Sequence, residues 1–467
     1  MNVIRIKKFL IVITFMALPF NSLPVESPLF GEFGFEGAFY SLLLCILVSL
    51  VFLSGKYEIP RNTSFYIITL LVIWILINSI LNLDIIQANY FKGRTGTSKL
   101  TSQLIVILFG YLSIIFYFNL FRNVKFEFIC KAVFISTIIP FIYSFLEILN
   151  YLNVGFVTSF LMSIDKYIHV YGYWNYLVGT EVKIRSVSGE ASWFGTYLAF
   201  IYPWILQNIF KNSKSRSQIK SIMYLLYLYL LTFLTFSRTV YVIILIQSIV
   251  FLGLRLLRYR TNKSIFTLIA TFIIMLLLSA NTISSSVVSV IGSLASSDNL
   301  SNVGRFSMQQ AALGMWNAHP LMGIGFGQFG FNVPFFVKSE APLISSEVKE
   351  WLLDSSDSPW PPVHSLYPRL LAETGILGLL FWISTWFLLI RRFIKNLYSS
   401  KYSDNDFTIY TLVCLLIGVL LIGFNIDSLR LPVYYIALGL CYNFIYKREG
   451  NNEGSLNNFI KESNQKE

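Results

Sequence analysis

The chain reads as a succession of apolar runs separated by short polar stretches. Twelve runs stand out: Leu10–Phe20, Gly37–Leu53, Ser64–Leu81, Leu100–Phe121, Phe128–Ile148, Trp193–Phe210, Ile222–Phe236, Thr239–Leu254, Ile265–Ala280, Thr374–Ile390, Phe407–Ile426 and Leu431–Tyr446. Several are shorter than the ~20 residues of a full span, so their ends must extend into the flanking residues. A backbone surrounded by lipid must satisfy its own hydrogen bonds, and helices do so within one segment. The pattern therefore predicts an all-α polytopic membrane protein with about twelve transmembrane helices. Lys7 and Lys8 precede the first run as in a signal peptide, but no small-x-small cleavage site follows, so the run reads as a retained span.

Charge then orients the spans. Lys and Arg concentrate in segments 1–9, 54–63, 122–127, 211–220, 255–263, 391–406 and 447–467, which places both termini on the cytoplasmic side. Segment 82–99 runs against the trend, an outer loop that carries Lys92, Arg94 and Lys99. Two outer segments are long, Asn150–Glu190 and Asn281–Leu371, and they hold all three histidines, His169, His319 and His364. Long loops between elements are usually functional. The organisation expected is one polytopic domain over residues 1–467, a large loop at 281–371 between the ninth and tenth spans, and a disordered polar tail at 449–467.

Composition agrees and excludes other classes. Of 467 residues, 55% are hydrophobic and only 13% charged, with a mean hydropathy of +0.63. Soluble domains carry about 25% charged residues. The net charge of +12 is the signature of basic cytoplasmic loops rather than of a nucleic-acid partner, because no soluble segment shows a basic stripe with interleaved aromatics. Cys45, Cys130, Cys414 and Cys441 all lie in apolar runs without C-x-x-C spacing, so neither disulfides nor zinc are expected. The Asp404–Asn405–Asp406 triplet has the D-x-D form of a nucleotide-sugar enzyme, but no Rossmann-like domain surrounds it, and it reads as a solvated loop. No metal and no cofactor are expected.

Candidate chemistry gathers on the outer face. Arg305 opens an amphipathic helical pattern in which Phe306, Met308, Ala312, Met315 and Trp316 can share an apolar face. Gly323, Gly325, Gly327 and Gly330 follow. They let backbone approach backbone, expose N–H groups to an anion, or simply form a tight re-entrant turn. His364 stands just before the tenth span, where a neutral imidazole can take a proton from a hydroxyl; Ser365, Arg369 and Glu373 are its companions. Arg185 and Glu190 precede the sixth span, Glu190 as a base or a simple helix cap. Arg238 lies at the short turn between the seventh and eighth spans. Three arginines and one imidazole on one face suit a lipid-linked diphosphate: the arginines offset charge on the leaving group and the histidine activates an acceptor hydroxyl.

The strings "GRFSMQQAALGMWNAHPLMGIGFGQF" and "HSLYPRLLAETGILGLL" resemble the O-antigen ligase and polymerase superfamily of bacterial inner membranes. The ligase-type pattern, H-[NSQ], nine residues, then G-x-x-[GTY], matches at His364, Ser365, Gly375 and Gly378. The "R…W…HPLxGxGxGxF" shape matches from Arg305 through Trp316, His319 and Pro320 to Phe329, and Ser237–Arg238 falls where the family has an "SR". The resemblance covers about residues 180–440. It implies a type-C-like, metal-independent, inverting glycosyltransferase whose donor is a glycan on undecaprenyl diphosphate at the periplasmic face. Arg185, Arg238 and Arg305 would bind the diphosphate, and His364 would be the base or orient the acceptor glycan. A chain-length regulator protein would be a further partner. The string from Arg185 through Gly189–Gly195 looks like the E-[PA]-S-x-x-[GA] string of polysaccharide polymerases, although Ala191 stands where proline is commoner. Polymerase is therefore the preferred reading and ligase the alternative. A transporter is the alternative of another class, but transport sites need polar groups, broken helices and repeats at mid-membrane.

Overall fold

The structure is a computed structural model and describes residues 3–25, 31–52, 57–170, 183–211, 215–259, 300–399 and 405–446. The expected span 265–280, the expected tail 449–467 and the first part of the 281–371 loop lie outside the described residues.

All the other apolar runs are helical. In chain order the helices are α1 (Val3–Ala17), α2 (Gly37–Phe52), α3 (Thr63–Leu81), α4 (Leu83–Ala88), α5 (Gly96–Phe121), α6 (Phe126–Ser136), α7 (Ile138–Tyr151), α8 (Gly155–Ile168), α9 (Ala191–Lys211), α10 (Ser215–Leu234) and α11 (Arg238–Tyr259). After the undescribed stretch come α12 (Leu300–Ala318), α13 (Phe329–Phe336), α14 (Ala341–Ile344), α15 (Ser346–Leu352), α16 (Leu366–Ser399), α17 (Asn405–Ile422) and α18 (432–446). A two-residue antiparallel ribbon, Tyr90–Phe91 with Arg94–Thr95, is the strand structure among the described residues.

Among the described residues, five helices are long and apolar enough to cross a membrane: Thr63–Leu81, Gly96–Phe121, Phe126–Tyr151, Arg238–Arg258 and Leu366–Tyr398. Gly37–Val51, Gln218–Leu234 and Asp406–Ile422 are shorter apolar helices. The chain is an all-α polytopic membrane protein.

The bundle centres on α9, which is buried along most of its length and packs on α10, α11 and α17. Polar side chains inside the bundle find partners there, as a low-dielectric interior requires. Gln247 donates to the Ala199 and Cys414 carbonyls at 3.0 and 3.1 Å, and Thr411 donates to Gln207 at 2.7 Å. These bonds tie α9, α11 and α17 together. The cysteines are core residues as expected, with Cys45, Cys414 and Cys441 buried and Cys130 half-buried.

The two ends of the bundle differ in chemistry. One end carries the ion pairs Arg122–Glu58, Lys211–Glu127 and Arg258–Asp406. Asp406 there is buried and paired, so the expectation of a solvated Asp404–Asp406 loop is corrected at that residue. The other end carries His364 and a second small core, in which Met308, Ala312, Met315, Val348, Trp351 and Val363 meet. Segment 82–99 belongs to this end. Lys92 Nζ donates to the Glu350 and Pro359 carbonyls, and Arg94 and Lys99 lie over the Trp360 ring. Its cations serve the neighbouring loop, which explains basic residues in a segment that runs against the charge trend.

Candidate functional site

The glycine string is a docking device. Gly323 and Gly375 both have positive φ, near +67°, where residues with a Cβ are strained. A Cβ on Gly375 would lie 2.0 Å from the Leu321 carbonyl oxygen, and one on Gly323 would lie 2.5 Å from that of Ala372. The two chain segments approach so closely that they exchange backbone hydrogen bonds, Ile324 N–H to Ala372 O at 2.8 Å and Ile376 N–H to Pro320 O at 3.0 Å. Gly375 is also where α16 kinks. Within the string, close backbone approach is seen at Gly323; a Cβ on Gly325, Gly327 or Gly330 would meet the side chains of Ile86, Gln103 and Trp360 instead.

Arg369 and Glu373 lock the same joint. Arg369 donates to the Glu373 carboxylate at 3.2 Å, to the Asp427 carbonyl at 2.8 Å and to the Gln103 side chain at 2.8 Å. Glu373, 2% exposed, also accepts the Phe329 N–H at 3.3 Å. Ser365 is buried and donates to the Gly423 carbonyl at 3.2 Å, beside the Leu366 N–H at 2.7 Å. All three side chains are engaged within the protein, and their bonds fix the first turns of α16 and the residue before it.

His364 sits on that platform in a strained pose, with φ +60°. Such a conformation persists only when its surroundings hold it. Asp427 does so, one carboxylate oxygen accepting the Val363 N–H at 2.6 Å and the His364 N–H at 3.3 Å. The imidazole rests against Trp351, ring centroids 5.3 Å apart. Its Nε2 is shielded and has no hydrogen-bond partner among the described residues. Burial holds the imidazole well below its ordinary pKa; Asp427 opposes this and the charge of Arg305 adds to it. The His364 imidazole is therefore neutral at physiological pH, within the field of an exposed arginine.

Arg305 lies on α12, which starts at Leu300, earlier than the sequence suggests. Met308, Ala311, Ala312 and Met315 form its buried face. Phe306 is 47% exposed and does not share that face, and Trp316 is half-buried, its Nε1 donating to the Pro320 carbonyl at 3.1 Å. Arg238 is exposed at the start of α11. The next residue, Thr239, donates to Asn425 at 3.3 Å, so the Arg238 turn adjoins the turn that carries Asp427.

Arg185 is placed differently. It is 4% exposed, and its Nη2 donates to Asp165 at 2.7 Å. Asp165 also accepts from the Tyr143 hydroxyl at 2.7 Å and lies 3.3 Å from His169 Nε2. Burial and the Arg185 charge push His169 down to about 3, so it is neutral. Glu190 is exposed; its carbonyl accepts the Trp193 and Phe194 N–H groups and its carboxylate the Ser192 hydroxyl at 3.2 Å. Gly195 packs against Val240, where a Cβ would come within 2.2 Å.

Sequence reasoning missed Asp427 and Asp165. Both had a signal: Asp427 is a lone carboxylate in the apolar string "GFNIDSLRLP", and Asp165 stands four residues before His169 on one helix. It also missed the buried Glu36–Arg430 pair at 3.1 Å, in which Arg430 lies over Trp193.

The fold and site define a polytopic membrane protein with a histidine–arginine site at one end of its bundle. Residues 223–383 match the family model described as O-antigen ligase. The match spans both Arg238 and the His364 string, and it supports the resemblance to the O-antigen polymerase and ligase superfamily. No curated protein matches the chain.

Proposed function

We propose that the protein is a polysaccharide polymerase of the bacterial inner membrane, with both termini cytoplasmic. It joins oligosaccharide repeat units carried on undecaprenyl diphosphate into O-antigen or another surface polysaccharide at the periplasmic face. The observation that carries this reading is the neutral His364 imidazole, its backbone held by Asp427, its Nε2 without a partner among the described residues, within the field of Arg305. A buried polar atom without a partner calls for an explanation, and a substrate hydroxyl at Nε2 supplies one.

The chemistry follows from those groups. The imidazole takes the proton of an acceptor hydroxyl as its oxygen attacks the anomeric carbon from the face opposite the diphosphate. The new C–O bond forms as the bond to the diphosphate oxygen breaks, and the configuration inverts. Arg305 and Arg238, both exposed, offset the charge on the departing diphosphate. Arg185 shares its guanidinium with Asp165 and contributes from a fixed position. Ser365, Arg369 and Glu373 keep His364 in place, and Glu190 stands exposed just before α9. No residue is assigned to a metal or cofactor.

The Arg185–Gly195 string favours polymerisation over ligation. The description of the matching family favours the second reading, transfer of finished glycan to lipid A-core. Purified protein in proteoliposomes, given undecaprenyl-diphosphate-linked repeat units alone, separates the two. A ladder of products with release of undecaprenyl diphosphate supports a polymerase. Transfer that occurs only when lipid A-core is added makes it a ligase, and a chain-length regulator would alter only the ladder's length.

A further inference from the structure

The α8 helix is apolar on two faces, and the His364 site accounts for neither. Val157, Leu161 and Asp165, four residues apart, are buried against Tyr143 and Val187. On the other side Phe156, Phe160 and Tyr167 follow one stripe and are 77%, 49% and 69% exposed. We propose that this second stripe lies in the lipid interface of the bilayer, with α8 flat along the membrane, so that α8 sets the depth of Arg185.

Three observations support it. The preceding span Phe126–Tyr151 exposes apolar residues of its own, Ile138, Ile142 and Phe145, and so do Tyr151 and Leu152 at its end, as a lipid-facing helix would. Only residues 152–154 separate that span from α8, and Asn153 turns the chain with φ +62°. Finally, α8 has 14 residues, which at 1.5 Å each make about 21 Å, too short for a hydrocarbon core of about 30 Å. A short helix with apolar and polar stripes following a span is suited to lie in the plane of the interface. Lys166 and Tyr167 at its C-terminal end are residue types that anchor there.

The buried face gives the placement a consequence. Asp165 ties α8 to Arg185, Tyr143 ties Asp165 to the span, and the Ser186 N–H is held by Glu147 at 2.8 Å. A helix fixed at headgroup level thus fixes the Arg185 loop at the level where a lipid phosphate lies. The placement rests on the exposed surface alone; only this consequence rests on the proposed role of Arg185.

The test uses the full-length protein in lipid nanodiscs, with single spin labels at Phe156→Cys, Phe160→Cys and Tyr167→Cys. Ile142→Cys is the lipid control and Asp357→Cys the water control, and collision with oxygen and with a water-soluble nickel chelate is read at each. The expected result is oxygen contact above nickel contact at all three α8 positions, at one shared depth shallower than Ile142. Nickel contact like that at Asp357 means the stripe faces water and overturns the proposal. Low contact with both reagents together with spin–spin broadening means a second copy covers the stripe, and also overturns it. A depth that changes by about 16 Å from Phe156 to Tyr167 means α8 stands upright, which contradicts it as well. None of these outcomes depends on glycan synthesis, so failure here is distinct from failure of the polymerase reading.

Discussion

The carboxylate of Asp427 accepts the backbone N–H of His364 at 3.3 Å, and the same oxygen takes the preceding N–H, of Val363, at 2.6 Å. One side chain from the turn before α18 thus holds the strained φ of +60° at the candidate base. Asp427→Ala should leave both N–H groups without this acceptor, at about 1–3 kcal/mol each where they are buried. Product formation should collapse, while Asp427→Asn, which keeps an acceptor oxygen, should retain a measurable part of it. Product assays on the two variants, at matched membrane insertion, check this.

The pH profile should carry the mark of His364. Its ordinary value is 6.5, and burial and Arg305 lower it to about 4 in the folded protein. Between those values the unfolded chain binds a proton that the folded chain refuses. The stability His364 contributes is therefore full above pH 6.5 and lost as the pH falls towards 4. The neutral imidazole, and any activity it supports, should persist well below pH 6.5. Arg305→Lys, which keeps the charge, should leave the acid limb in place. Arg305→Ala should move it upward in whatever activity survives, because the nearby positive charge is gone.

The three arginines should separate in thermal unfolding. Arg305 and Arg238 are exposed, so Arg305→Ala and Arg238→Ala should lose product yet melt within about 0.5 kcal/mol of the parent. Arg185→Ala strands the buried Asp165 and should cost about 3–5 kcal/mol as well as product. Equal melting of all three would show that the Asp165 pair does not hold the fold.

Gly375→Ala should be more damaging than a surface glycine substitution. Its φ of +67° disfavours a Cβ, and the Leu321 oxygen would stand 2.0 Å away. The strained backbone alone costs about 1–3 kcal/mol, and the clash adds to it by pushing the glycine turn off α16. Gly253→Ala, where a Cβ meets open space, is the control and should be neutral or slightly stabilising. Melting of the two variants in detergent checks the contrast.

Much of the architecture was legible because lipid imposes a simple rule: apolar runs become helices. The rule does not fix how two chain segments join. Gly323 and Gly375 are far apart in sequence, and only the fold shows that they make one contact. Arg185 resembles Arg305 and Arg238 in the sequence, since each is a lone arginine in an outer segment. What separates it is Asp165, twenty residues earlier on a helix that was read as loop. His364 was legible as a candidate because it sits at a span entrance. Its orienting partner was not, because Asp427 comes from the far side of the next two helices.

The central claim is that His364 and Arg305 drive polymerisation. The most direct measurement is the glycan profile, resolved by size and by carrier, of a deletion strain carrying either His364→Ala or the parent gene. The account predicts long chains with the parent and single repeat units on the normal acceptor with His364→Ala. Long chains accumulating on undecaprenyl diphosphate while the acceptor stays bare would make the protein a ligase. A normal profile with His364→Ala would remove His364 from the mechanism and contradict the account outright.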